Sequence, residues 1–177
     1  MKKRVLTSVI AGVACCSSVT WAASNGEGQI SFNGEILDTA CEVVNNLSKP
    51  LQVDMGKIAK SAFTGVGVTA DTTRFTIELK NCPAAVTAAS VNFGGTPDSK
   101  NNTVLALTDE TDAATGIGIQ LLDATETPIS LHSASVEYPL VASTSNKLQF
   151  GARYIETGSS VTAGPANGVS TFTIVYN

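Results

Sequence analysis

Two cysteines are the residues whose type and spacing most clearly suggest chemistry. The sequence has four cysteines, but Cys15 and Cys16 lie in a leader segment considered below, which leaves Cys41 and Cys82. Two cysteines in an exported protein most simply form one disulfide, and the chain-entropy model assigns a loop of this length about 4 kcal/mol of stabilisation. A metal site needs more ligands, and the sequence has a single histidine, His132. We therefore predict a Cys41–Cys82 disulfide and expect neither a metal nor another cofactor.

Acid and base catalysis would need positioned titratable groups, and the sequence offers few. His132 stands between turn-like segments, so a structural surface histidine is the simpler interpretation. Asp109 and Glu110 lie in a polar stretch, which favours solvated charges over a glycosidase pair. The Gly-x-Ser-x-Gly pattern of a serine nucleophile is absent from the sequence. These features predict a protein that is not an enzyme.

The first 22 residues have the form of a secretory signal peptide. Lys2, Lys3 and Arg4 precede an apolar run over residues 5–19, and small residues stand three and one places before a cut after Ala22. A membrane anchor is the alternative, but the run is short and no basic stop-transfer cluster follows it. We therefore expect residues 1–22 to be removed on export, with no direct insertion of the mature chain into a membrane.

The mature chain is acidic. The sequence has 11 Lys and Arg against 15 Asp and Glu, and the predicted leader holds three of the basic residues. Eight basic against 15 acidic residues leave a net charge of about -7. Such a chain is a poor ligand for nucleic acid or for an anionic membrane surface, so we expect neither as a partner.

Apolar and polar residues alternate along the mature chain with the period of a β-strand. In residues 74–79, for example, Phe75, Ile77 and Leu79 share one face. The same pattern is found in residues 51–55, 89–93, 104–108, 117–121, 129–131, 148–154 and 169–177, and turn-forming residues separate these segments. Residues 57–70 lack a sustained period and are expected to form a loop with one helical turn. The pattern predicts one all-β domain, a β-sandwich.

The two ends of the mature chain each carry a strand-like segment with no evident neighbour in the same domain. In residues 26–36 every apolar side chain would lie on one face of an extended backbone, but three glycines weaken this segment as a self-supporting strand. The last strand is followed only by Asn177, so no later segment covers it. We expect that the domain lacks one strand and carries a spare one for another molecule. Return of the N-terminal segment onto its own domain is the alternative, and would give a monomer.

The chain resembles a pilin subunit of the chaperone/usher fimbriae of Gram-negative bacteria, most like the type 1 family. The resemblance covers the whole mature chain and depends on the order and spacing of several motifs. These are the N-terminal extension 28–36, the pair Cys41 and Cys82, the segment Leu-Gln-Phe-Gly-Ala-Arg-Tyr at 148–154, Gly164 at the fourteenth position from the end, and penultimate Tyr176.

The resemblance implies an incomplete immunoglobulin-like β-sandwich that lacks its seventh strand and is completed by donor-strand exchange. It implies as partners identical or related pilin subunits, a periplasmic chaperone that lends a strand, and an outer-membrane usher. It also implies export through the periplasm to a fimbrium on the cell surface, where the fibre supports adhesion. The expected division is a donor extension at residues 23–37 and a pilin domain at residues 38–177.

The resemblance also implies roles for two groups of residues. The donor strand would consist of Ile30, Phe32 and Ile36, which fill the groove, with Gly28 and Gly34 where the backbone passes close. The acceptor groove and the features recognised by chaperone and usher would involve Gly164, Phe172, Ile174, Tyr176 and Asn177, the last of which offers a terminal carboxylate.

A monomeric secreted β-sandwich that binds carbohydrate or protein is the alternative function. An adhesin would normally add a receptor domain before the pilin domain, and residues 23–177 leave no room for one. A chain-terminating subunit would lack the donor extension, which is present here. The sequence therefore favours a polymerising subunit.

Overall fold

The regular secondary structure of the fold is almost entirely β-strand. A computed structural model describes residues 29–34 and 40–177. Its strands are β1 Glu42–Val43, β2 Thr73–Lys80, β3 Ala88–Gly94, β4 Ile117–Leu122, β5 Pro128–Ile129, β6 Tyr138–Pro139, β7 Asn146–Glu156 and β8 Thr171–Tyr176. One 3₁₀ turn, Lys60–Ala62, lies within the predicted loop at residues 57–70. Within the described residues, no helix has the length and apolar character needed to cross a bilayer.

The chain divides into two units, Met1–Ile36 and Leu37–Asn177. All eight strands belong to the second unit, and the described part of the first, residues 29–34, forms no strand. The predicted signal peptide at 1–22 lies outside the described residues, as do Gly28 and Ile36 of the predicted donor strand.

Two antiparallel sheets make up the second unit. The larger sheet has the order β1-β2-β7-β4-β5, and the smaller has the order β6-β3-β8. In the larger sheet β2 and β7 pair over seven residues, and β4 covers the other side of β7 over six. Long strands with an apolar inner face therefore stand at the centre, and the short strands lie at the edges.

The core lies between the sheets and contains a cluster of aromatic rings. Phe75 of β2, Phe150 of β7 and Phe93 of β3 meet there, with Phe93 and Phe150 edge to face at a centroid distance of 5.1 Å. Phe150 and Phe93 are almost completely buried, as the alternation of their strands requires. Because the rings come from both sheets, the cluster holds the sandwich together. The predicted all-β sandwich is confirmed.

The predicted disulfide is also confirmed. Cys41, just before β1, is bonded to Cys82, just after β2, and both residues are buried. The nearby Asn146 is buried as well, and its side chain both accepts a hydrogen bond from the Val141 N–H and donates one to the Val141 carbonyl. Because it joins the residues beside these two strands, the Cys41–Cys82 bond anchors the short strand β1 to the long strand β2.

Two segments predicted as strands are not strands. Residues 51–55 are free of strand pairing, because the space beside them is the groove described below. Residues 104–108 make only isolated bridges, in which Leu105 pairs with Pro97 and with Ile119. The predictions were wrong because alternation reports which side chains are buried, whereas a strand also requires a neighbouring backbone in register.

Candidate binding groove

Among the described strands, β8 has a neighbour on one side and none on the other. It pairs with β3 in antiparallel register, so that Phe172 faces Phe93 and Ile174 faces Val91. Within residues 29–34 and 40–177, no strand pairs with the other edge of β8. The backbone N–H and C=O groups along that edge are therefore available to a further strand.

The inward-facing side chains of β8 are only partly covered. Phe172, Ile174 and Tyr176 alternate with the exposed Thr171, Thr173 and Val175, as the sequence pattern predicts. The three inward residues pack against the core but are half-buried. An apolar face that remains half-exposed indicates that something is missing from the layer beside it.

A large groove runs along this uncovered face, with a volume of about 920 Å³. Its floor is formed by apolar residues of both sheets and of one connection: Phe75, Ile77, Phe93, Leu105, Ile119, Leu121, Ala152 and Tyr154. The groove therefore opens directly onto the hydrophobic core, and an occupant would complete that core.

The segment at residues 50–56 forms a further wall of the groove. Leu51, Val53 and Met55 line the groove from this side, and Val53 and Met55 are half-buried. The sequence indicated these residues through their alternation, but it did not indicate that they and β8 flank the same space.

The groove is almost free of charge. Asp54 is the only charged residue that lines it in the described part of the chain. Burial raises the pKa of the Tyr154 hydroxyl, and the nearby Asp54 carboxylate raises it further. Burial also raises the pKa of Tyr176, although the Cys41 carbonyl, 3.5 Å from the hydroxyl, partly opposes this. Such surroundings suit an apolar, extended peptide and disfavour a charged side chain.

Gly164 and Asn177 lie outside the groove itself. Gly164 lines a smaller adjoining pocket of about 330 Å³, and a side chain at this position would collide with the Asp112 carbonyl oxygen. Asn177 continues the β3 to β8 pairing, because its N–H donates to the Ala88 carbonyl at 2.9 Å and its carbonyl oxygen accepts from the N–H groups of Thr87 and Ala88. Phe172, Ile174 and Tyr176 are thus the predicted acceptor residues that line the groove.

The described N-terminal segment, residues 29–34, is exposed. Ile30 has 78% and Phe32 has 90% of its surface accessible to solvent. Large apolar side chains at this exposure are unfavourable unless they are covered by a partner.

The residues considered for catalysis are on the surface. His132, Asp109 and Glu110 are all exposed. The described residues hold no group of three or more His, Cys, Asp or Glu side chains that could bind a metal ion.

A β-sandwich with an open edge strand beside an apolar groove is the architecture expected of pilin subunits. The family model described as Fimbrial protein matches residues 30–177, and the chain belongs to this family. It is therefore a fimbrial subunit, a structural component of bacterial surface pili rather than an enzyme.

Relatives and solved structures agree with this assignment. The uncharacterized fimbrial-like protein SfmA of Escherichia coli K12 is 37% identical over 181 residues, which covers 99% of each chain. A type I fimbria protein of Burkholderia pseudomallei superposes with a TM-score of 0.59 at 40% identity, covering 79% of this chain and 91% of that chain. The P pilus rod subunit PapA superposes with a TM-score of 0.65 at 20% identity over 78% of this chain and 100% of its own, a likeness of fold. The predicted family and immunoglobulin-like fold are confirmed.

Proposed function

We propose that this fimbrial subunit polymerises by donor-strand exchange, in which the N-terminal extension of one subunit fills the groove of the next. The observation that carries the proposal is the open edge of β8 beside an apolar groove whose floor is the core of the domain. The occupant is an extended segment at residues 23–37 of a second copy or of a related subunit.

The extension matches the groove in chemistry. Ile30, Phe32 and Ile36 would share one face of an extended backbone and bear no charge, which suits a groove lined mostly by apolar side chains. Burial of the three side chains at about 1.5 to 3 kcal/mol each would contribute roughly 5 to 9 kcal/mol before ordering costs. Gly28 and Gly34 would allow the donor backbone to lie close to the walls.

Main-chain hydrogen bonds would add to this stabilisation. The free edge of β8 offers a row of donors and acceptors, and strand addition satisfies such a row without regard to side chains. The side chains of the extension then set the register, because a shift by one residue would turn Ile30 and Phe32 toward solvent.

The same open edge argues for a chaperone before assembly. An apolar groove with an unpaired strand edge is prone to aggregate, so a subunit in transit needs a temporary strand. We propose that a periplasmic chaperone supplies it, that an outer-membrane usher is where the incoming extension replaces it, and that the fibre supports adhesion. The roles of Gly164 and Asn177 in recognition belong to this proposal.

The test is to supply the missing strand within the same chain. A second copy of residues 26–37 is joined after Asn177 through a short flexible linker, and thermal unfolding is compared with that of the mature protein. We expect a large rise in the unfolding midpoint together with a monomer by light scattering. The matched control carries the same added segment with the residues copied from Ile30 and Phe32 changed to Asp, and should give no rise.

An unchanged midpoint, with both proteins already monomeric and stable, would contradict the proposal. That result would mean that the sandwich is complete without a donated strand, and would favour a monomeric binding module.

A further inference from the structure

Two Asn–Gly pairs lie in the described residues, at Asn33–Gly34 and Asn167–Gly168. Asparagine is a chemically labile residue, and glycine after it removes the Cβ that would hinder approach of the following backbone nitrogen. The two pairs have the same chemistry but very different surroundings.

The reaction open to such a pair is cyclisation followed by hydrolysis. The Gly34 backbone nitrogen attacks the side-chain carbonyl carbon of Asn33, a C–N bond forms, and the side-chain nitrogen leaves as ammonia together with the amide proton. Water then adds to one of the two carbonyl carbons of the cyclic imide and opens it. The products are aspartate and isoaspartate, and no oxidant or reductant takes part.

Asn33 and Gly34 have the freedom that this reaction needs. Both residues are exposed and lie outside any strand. Among the described residues, no atom outside the immediate chain neighbours lies within 4 Å of the position where a Gly34 Cβ would stand. The side chain of Asn33 can therefore rotate toward the Gly34 nitrogen at little steric cost.

Asn167 is held in place. Its side-chain nitrogen donates to Glu110 Oε1 at 2.8 Å, and its backbone carbonyl accepts from the Thr108 N–H at 2.7 Å. A Cβ on Gly168 would come within 2.6 Å of the Ile119 side chain, so this backbone is packed against the core. The side chain and backbone of this pair are both restrained, which opposes ring closure.

We propose that Asn33–Gly34 is a site of spontaneous deamidation in the free subunit, and that insertion as a donor strand protects it. The protection rests on the proposed function, because a strand ladder would hold the Asn33 backbone extended and restrain the Gly34 nitrogen. Isoaspartate routes the main chain through an extra carbon and adds a negative charge. Ile36 would then fall out of phase with Ile30 and Phe32, so a subunit left unassembled would lose its ability to donate.

The self-complemented chain described above tests both parts in one molecule. It carries the sequence Asn33–Gly34 twice, once in the free N-terminal extension and once in the copy after Asn177. After incubation in mildly alkaline buffer, peptide mapping with fragmentation measures conversion at each copy, at Asn167 and, separately, at Asn25–Gly26, which lies outside the described residues. We expect the free Asn33 to convert severalfold faster than the inserted copy and than Asn167.

Two results would overturn the proposal. One is an intact free Asn33 under conditions in which a synthetic peptide of residues 26–37 converts. The other is equal conversion in both copies although the unfolding midpoint has risen, since the rise shows independently that the strand is inserted. If the unfolding midpoint does not rise, the result contradicts the proposed function rather than the deamidation proposal. Asn33→Gln in both copies keeps an amide but disfavours the five-membered ring, and should abolish conversion while leaving the rise in midpoint unchanged.

Discussion

Strands β3 and β8 form one ladder, yet they differ in how completely they are covered. The inward residues Ala89, Val91 and Phe93 of β3 are 0 to 3% exposed. Their partners across the ladder, Tyr176, Ile174 and Phe172, remain half-buried. The difference arises because the second side of β3 is covered, by β6 beside Ala88 and Ala89 and by residues 132–135 beside Val91 and Phe93, whereas β8 has the groove. Similar side chains in the same sheet therefore differ in how far they are covered, because backbone neighbours lie on both sides of β3 but, among the described residues, on one side of β8.

This contrast shows which part of the domain lacks its full hydrophobic stabilisation before assembly. The inner face of β3 already contributes its full hydrophobic stabilisation, and that of β8 contributes only part. Assembly through the groove would supply the remainder, which links polymerisation to the stability of each subunit.

The largest effect is expected when the covering strand is made unable to enter. Phe32→Arg should abolish donation, because a guanidinium group would have to enter a groove lined by apolar side chains, while the variant should still accept a strand. Fibre growth is measured by electron microscopy and by resistance of the polymer to detergent. Ser31→Arg, on the opposite face of the extension, is the control and should polymerise. Normal fibres from the Phe32 variant would contradict the assigned role.

A matched pair of phenylalanines measures the contrast directly. Phe93→Ala should cost about 3 to 5 kcal/mol of unfolding free energy already in the open domain, because its ring is almost completely buried there. Phe172→Ala, across the ladder, should cost roughly 1.5 to 2 kcal/mol in the open domain and more in the self-complemented chain. Urea unfolding of both variants in both backgrounds gives the four values. Equal losses for Phe172→Ala in the two backgrounds would mean that no strand covers β8.

The disulfide reinforces the structure near the Tyr176 end of the groove, where β1 has only a short ladder of its own. Changing both Cys41 and Cys82 to Ser should lower the unfolding free energy by about 4 kcal/mol, since the cross-link constrains the unfolded chain. Denaturant unfolding checks the loss. Mass spectrometry must show one bridge in the exported parent protein, and two free thiols there would remove the basis of the prediction.

The smallest effect concerns pH. Burial raises the pKa of Tyr176 in the folded protein, so the unfolded chain ionises first as pH rises. The contribution of this hydroxyl to stability is complete below about pH 10 and is lost as pH rises through the folded pKa. Tyr176→Phe should flatten this alkaline loss, measured from urea midpoints against pH. Filling the groove should bury the ring further and move the ionisation of Tyr176 to higher pH, as followed by ultraviolet absorbance.

Sequence patterns predicted which side chains face the core better than they predicted which backbone segments pair. Alternation identified β2, β3, β4, β7 and β8, and the cysteine count identified the disulfide. Alternation also identified Phe172, Ile174 and Tyr176 as one face of the last strand. The two-residue strands β1 and β6 are too short to show a period, and Leu51, Val53 and Met55 suggested a strand where only a groove wall exists.

The floor of the groove could not be read from the sequence. Its residues come from four strands and one connection, and they meet only because the two sheets pack face to face. Phe75 and Leu121, for example, look like ordinary core residues in the sequence. Their position beneath a missing strand depends on which elements are adjacent in space, which local periodicity does not encode.

The open edge of β8 along the groove has a mechanical consequence. A donated strand would lie along β8 and leave toward its own domain at one end, so tension on the fibre would act parallel to the strand. Hydrogen bonds perpendicular to that tension are loaded together in shear rather than broken one after another. The survival of a fibre under flow would then depend on the rate at which a whole strand slides free, rather than on the equilibrium free energy of the contact.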